Sequence, residues 1–277
     1  MSVPQTEEMT VQLEIIEKVK KIAFSDDNVS AVLMYGSFIR DEGDEYSDVE
    51  FYVYLHDKMN FDSRCWVGQI RPVALFFTNE HGTEVAIFDN MVRGEFHFGS
   101  LDDMKTIKTW QGFISFEHAE KMKLVDKEGR LADVLNSIEI VKPDWHDPEN
   151  VRWIAESFLN VFLWTRNLIA RAEDAHAVMA FGYVQKHFLS LIRLACNATN
   201  HWESPTKNLE NEITPEWYHQ YQCAIPSLDN DDLCRAYNMT LKNARELFAL
   251  LDVPEDLRVL LDSNFTKNGT GKNVKKK

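Results

Sequence analysis

Apolar residues recur at Ile15, Ile16, Val19, Ile22 and Ala23, the spacing that lays one stripe along a helix, so residues 7–24 are expected to form an amphipathic helix. The period then changes. Runs of strand composition at 29–35, 47–55, 72–78, 83–89 and 94–98 predict a mixed sheet, with Asn79-Glu80-His81-Gly82 offering a hairpin turn between two of them. From about residue 100 the pattern turns helical or irregular. The polar, Pro-containing stretch 142–148 reads as a boundary, and Asp147-Pro148 suits an N-cap followed by a first helical residue. Three long helices are expected at 151–171, 175–198 and 231–251, with shorter ones opening at Thr214-Pro215 and Pro254-Glu255. Trp153, Phe158, Phe162, Leu163 and Leu168 are expected mostly in the core, with one or two available to line a cleft. The fold class is therefore α+β. Residues 1–145 form a mixed sheet with flanking helices, 146–265 a helical bundle, and 266–277, carrying Lys267, Lys272 and Lys275 to Lys277 among glycines, a disordered basic tail.

Composition narrows the function. A chain of 277 residues with 44% hydrophobic content can bury a sizeable core. The sequence shows neither a basic segment followed by an apolar leader core nor a run near the roughly 20 apolar residues of a membrane span, so a cytoplasmic location is expected, with no membrane partner. Cys65, Cys196, Cys223 and Cys234 lack any C-x-x-C pairing, which argues for free thiols over a zinc site or disulfide framework. The formal charge of −14 excludes a broad nucleic-acid track, because counterion release needs a basic surface. It leaves room for a nucleotide neutralised by Mg²⁺ and a few basic side chains, and for an acceptor bearing an amine. Solubility alone accounts for the charge equally well.

The densest chemistry lies in Met34-Tyr35-Gly36-Ser37 and Asp48-Val49-Glu50-Phe51. Gly36 ends a strand where the backbone can turn and approach a ligand, and Ser37 adds a hydroxyl beside backbone N–H groups. Alternation over 47–55 sets Asp48 and Glu50 on one face and Val49, Phe51, Val53 and Leu55 on the other. Two neighbouring carboxylates repel unless a cation such as Mg²⁺ sits between them. A strand, a Gly-Ser turn and a second strand with paired acids suggest a metal-bound nucleoside triphosphate.

These motifs, with YSDVEFYVYL, GTEVAIFDN and RGEFHF, resemble the nucleotidyltransferase superfamily and, most closely, the larger lincosamide nucleotidyltransferases. The resemblance implies an N-terminal catalytic domain that transfers AMP from MgATP to a hydroxyl of lincomycin or clindamycin, and it hints at a homodimer. A third carboxylate should face Asp48 and Glu50, with Glu84, Asp89 and Glu95 as candidates. Alternation pairs Glu95 with His97 opposite Phe96 and Phe98, and the resemblance gives Glu95 the role of metal ligand and catalytic base. His97 is carried as an acceptor contact. Gly36 and Ser37 are expected at the phosphates, joined from the helical half by Arg193 and Lys207 and more weakly by Lys186 and Tyr237. Arg40 reaches either phosphate or a neighbouring acid. Two other readings stay open: an aminoglycoside acceptor, and a non-catalytic nucleotidyltransferase-like binding module.

Overall fold

The computed structural model describes residues 10–111, 116–140 and 143–265; the expected tail and the first residues of the predicted 7–24 helix lie outside them. The chain divides into two compact units, Met1–Val141 and Lys142–Lys277, each with an apolar core of its own.

In the first unit, α1 (Thr10–Ser25) buries Ile15, Ile16, Val19 and Ala23, the stripe that its spacing dictates. β1 (Val29–Tyr35) and β2 (Val49–Leu55) follow, then α2 (Ser63–Gly68), whose N-terminus the Asp62 carboxylate caps. β3 (Val73–Thr78) and β4 (Glu84–Phe88) form the hairpin expected around Gly82, and β5 (Arg93–Ser100) runs into a 3-10 helix, Leu101–Trp110. The short α3 (Ala119–Met122), β6 (Lys123–Asp126) and α4 (Arg130–Asn136) complete the unit.

The sheet has the order β3-β4-β5-β2-β1-β6, antiparallel except for the parallel pair β2 and β5. It is the mixed sheet that the alternation predicted. Its core face carries Val49, Phe51, Val53, Leu55 and Phe96, all buried, with Phe51 stacked on Phe96 at 5.5 Å. Burying each phenylalanine contributes about 1.5–3 kcal/mol, which fixes the register because a one-residue slip would turn every one of them outward. That register places Glu50 beside Glu95, Tyr52 beside His97 and Tyr35 beside Glu50 on the opposite face. The functional face is therefore set by what the core face must bury.

The second unit is helical: α5 (Pro148–Ala170), α6 (Asp174–Ala195), α7 (Leu209–Glu212), α8 (Pro215–Cys223), α9 (Asn230–Leu250) and α10 (Glu255–Phe265). Asp147 caps α5 by accepting from the Glu149 amide at 2.8 Å, with Pro148 in the first turn, and Thr214 caps α8. Phe158, Phe162 and Leu168 are buried, and Phe162 lies flat on Tyr237 at 3.9 Å. Trp153 and Leu163 are the two of the five that stay outside the core, 60% and 40% exposed. The apolar content of α5 is wider than the stripe its neighbours cover, so these two fall outside the seam. Among the described residues, no helix is long and apolar enough to cross a membrane.

Candidate active site

The site begins where β1 ends. Gly36 has φ of +84°, a left-handed conformation that costs an L side chain roughly 1–2 kcal/mol. A Cβ at this position would lie 1.6 Å from Glu50 Oε2. Glycine is needed twice over, to turn the chain and to let the Glu50 carboxylate rest against the turn. Ser37 follows in a 3-10 turn (Phe38–Arg40), and its carbonyl accepts from the Arg40 and Glu42 amides at 3.1 and 3.0 Å.

Asp48, immediately before β2, and Glu95, on β5, are drawn together by one side chain. Arg93 donates from Nη1 to Asp48 Oδ2 and from Nη2 to Glu95 Oε1. Alternation along β5 puts Arg93 and Glu95 on one face, so the bridge follows from a spacing of two. Burial alone would pull the Arg93 guanidinium's pKa down; its hydrogen bonds to Glu95 and Asp48 outweigh that and hold it above its ordinary value.

Behind Glu95 stands Tyr35, whose hydroxyl is 3.2 Å from Glu95 Oε2 and 3.0 Å from His97 Nε2. Burial, reinforced by the charges of Glu95 and Glu50, drives the Tyr35 phenol pKa far up, so it remains a neutral donor. Burial likewise lowers His97, only partly opposed by Glu95, which leaves the imidazole neutral near pH 7. With its proton on Nε2, His97 donates to Tyr35 and Tyr35 donates to Glu95. Tyr52 then stacks on His97 at 4.1 Å and 9°.

Asp48, Glu50 and Glu95 thus share one face of two adjacent strands, offering the hard oxygen donors that a divalent cation takes. The donor chemistry fits such an ion, with Arg93 standing as the cation between two of the acids. Among the described residues, no three metal-ligating side chains are drawn closely enough to hold an ion as they stand.

The other expected residues separate. His97 joins the cluster through Tyr35. Asp89 is exposed and paired with Arg71, and Arg40 lies 3.4 Å from Glu42. Glu84 turns away from the cluster, its Oε2 buried and without a hydrogen-bond partner. In the helical unit, the expectation for Arg193 is corrected. Its side chain is fully buried, donating to the carbonyls of Pro205, Ala198 and Lys207 at 2.7, 2.8 and 2.6 Å and to the Glu212 carboxylate. Four of its five N–H donors are so engaged, which makes it the anchor of the 198–212 connection, and with the side chain fully buried the fifth is not presented to a phosphate. Lys207 contributes its carbonyl to that anchor while its side chain is exposed. Lys186 is also exposed, and Tyr237 is buried in the bundle core.

Arg93 and Tyr35 are the residues that sequence reasoning passed over. Both stood inside the quoted motifs, and the period-two alternation that paired Glu95 with His97 extends equally to Arg93.

Comparison with known proteins bears mainly on the second unit. Residues 147–268 match the family described as lincosamide nucleotidyltransferase-like, C-terminal domain. Two solved structures resemble the chain at a distance. One is an aminoglycoside 6-adenyltransferase from Bacillus subtilis, 10% identical over 87% of this chain and 89% of that one, with a TM-score of 0.36. The other is a nucleotidyltransferase-like protein from Exiguobacterium sibiricum, 14% identical over 90% and 77%, also at 0.36. No curated protein matches the chain. The helical half, beginning at the Asp147 cap, is thus similar to the C-terminal domain of that lincosamide nucleotidyltransferase-like family.

Proposed function

We propose that this protein is a Mg²⁺-dependent nucleotidyltransferase that moves AMP from ATP to a hydroxyl of a lincosamide antibiotic. The observation that carries the reading is the placement of Asp48, Glu50 and Glu95 on one face, against a glycine turn that admits no side chain. The family match of residues 147–268 supports it independently of that face. In the reaction the acceptor oxygen attacks the α-phosphorus of ATP, an O–P bond forms, the α–β P–O bond breaks and pyrophosphate leaves.

Asp48, Glu50 and Glu95 would hold the divalent cation, whose contribution is to neutralise and orient the triphosphate. Glu95 accepts the proton of the acceptor hydroxyl. Tyr35 fixes the Glu95 carboxylate by donating to Oε2, leaving Oε1 as the basic oxygen once Arg93 moves away. A released Arg93 guanidinium lies beside the same face and suits a phosphate oxygen, since its planar fork matches that geometry. Gly36 and the backbone amides after it approach the phosphates, with Ser37 adding its hydroxyl. The partners on this reading are small molecules, ATP and the antibiotic.

The test is a mass measurement. Purified protein with MgATP and lincomycin should yield antibiotic heavier by one AMP together with one equivalent of pyrophosphate; kanamycin, run in parallel, checks the aminoglycoside reading. ATP consumption without any modified antibiotic would overturn the lincosamide assignment, and silence with every acceptor would favour the non-catalytic module.

A further inference from the structure

Beside the core stripe of α1 runs a second one. Glu17, Lys20, Lys21 and Phe24 recur at helical spacing and are all exposed, Phe24 at 72%. They form one wall of a cleft of about 480 Å³ in the first unit; the other wall is the run Leu124, Val125, Asp126 and Lys127, from β6 and the residue after it. Because β6 is an edge strand, the cleft follows the margin of the sheet. None of its lining residues belongs to the candidate active site.

The cleft combines apolar surface with a cationic rim. Val125 is buried, Leu124 half-buried, and the aliphatic stems of Lys20 and Lys21 extend the surface that Phe24 begins. The rim is positive in a chain whose formal charge is −14. Lys20 Nζ lies 3.9 Å from Glu17 with both side chains more than half exposed, a pair that cancels little. Lys127 donates to the Asp26 carbonyl at 2.7 Å, a neutral acceptor, and so keeps its charge. Asp126 is engaged elsewhere, accepting from the Leu131 and Ala132 amides at 3.4 and 2.8 Å in the first turn of α4. Three lysines thus stand against Glu17 and a carboxylate already bound to backbone.

The shape of the site selects among anionic partners. Its volume falls within the range of small-molecule pockets, about 300–1,000 Å³, and a flat lipid surface cannot enter a concave cleft. The edge itself opposes an added peptide strand. β6 is four residues long, and its pairing skips Leu124, with Val125 opposite Val32 and Lys123 opposite Leu33. A short, bulged strand flanked by lysines is how a sheet blocks further pairing. We infer that the cleft binds a small anionic amphiphile, a single carboxylate head on a linear apolar tail. The tail lies along Phe24, Leu124 and Val125, and the head meets Lys20, Lys21 and Lys127. This binding site stands or falls independently of the transferase reading.

Full-length protein is titrated by calorimetry with decanoate below its micelle concentration, and with acetate, which has the head but no tail. Decanoate should bind once per chain and acetate should not, and decyltrimethylammonium should fail to displace decanoate. Replacing both Lys20→Gln and Lys21→Gln should weaken decanoate about tenfold, through loss of two charged partners for the head. Phe24→Ser should weaken it about threefold, through loss of apolar surface for the tail. All three positions are exposed, so both variants should melt within about a degree or two of wild type by circular dichroism. Absence of decanoate binding overturns the inference, as does binding that both variants leave intact or that decyltrimethylammonium displaces. Cosedimentation with phosphatidylglycerol vesicles that depends on Lys20 and Lys21, in a protein that ignores monomeric decanoate, would overturn it in favour of a lipid surface.

Discussion

Gly36→Ala separates two effects that most active-site substitutions confound. The left-handed backbone at this residue costs alanine about 1–2 kcal/mol relative to glycine, which in a unit of this size lowers Tm by roughly 3–8 °C. The new methyl would also stand 1.6 Å from Glu50 Oε2, so the carboxylate must retreat by more than an ångström. A shift of about 1 Å in a catalytic constellation is worth on the order of a hundredfold in rate, or about 2.7 kcal/mol of barrier. Gly129 supplies the control. It has φ of +77°, and a Cβ there meets nothing within 4 Å, so Gly129→Ala carries the same backbone penalty without touching the site. We expect similar losses of Tm by circular dichroism in both variants, but a pyrophosphate release rate reduced about a hundredfold only in Gly36→Ala. Equal rates in the two variants would refute the claim that the turn exists to seat the Glu50 carboxylate.

Three further outcomes follow from the same geometry. Arg93→Met leaves Asp48 and Glu95 facing each other without a cation; in EDTA it should cost about 1–2 kcal/mol, the pairs being partly exposed, and Mn²⁺ should both restore the melting temperature and bind more tightly than to wild type, whereas indifference to Mn²⁺ would mean the acids are not a cation site. Arg193→Met leaves three carbonyls without their donor and the Glu212 carboxylate with His201 as its remaining close partner, so a loss of about 3 kcal/mol in urea denaturation is expected with the KM for ATP unchanged in the folded fraction; a raised KM at unchanged stability would restore the phosphate role. Because burial depresses His97 below its unfolded value of about 6.5, the unfolded chain binds more protons as pH falls through that value; stability should drop from pH 7.5 to 5.5, and His97→Gln should shallow that slope, while an unchanged slope would contradict the burial argument.

Much of the first unit is legible because both faces of its strands obey the same period. Once Phe51, Val53 and Phe96 must be buried, Glu50, Glu95 and His97 have only the other face to occupy. What escapes is what depends on partners remote in sequence. β6 is four residues long, Lys123–Asp126, and its strand identity comes from pairing with β1 rather than from any pattern of its own. Arg93 carries no mark in the sequence that distinguishes a bridge between two acids from a phosphate contact or a solvated charge. Arg193 does carry a mark, since it interrupts the apolar run Leu191-Ile192-Arg193-Leu194, and an arginine in such a run is buried with its donors satisfied or not there at all. Likeness to phosphate-binding segments outweighed that signal. For Trp153 and Leu163, apolar character alone does not decide which side of α5 the neighbouring helices cover.

Glu95→Gln tests the central claim most directly. The substitution keeps the side chain's size and its hydrogen bond from Tyr35 while removing the proton acceptor, and general bases contribute about 10²–10⁴-fold. With saturating MgATP and lincomycin, AMP transfer should fall by at least a hundredfold. Transfer at the wild-type rate would contradict the account.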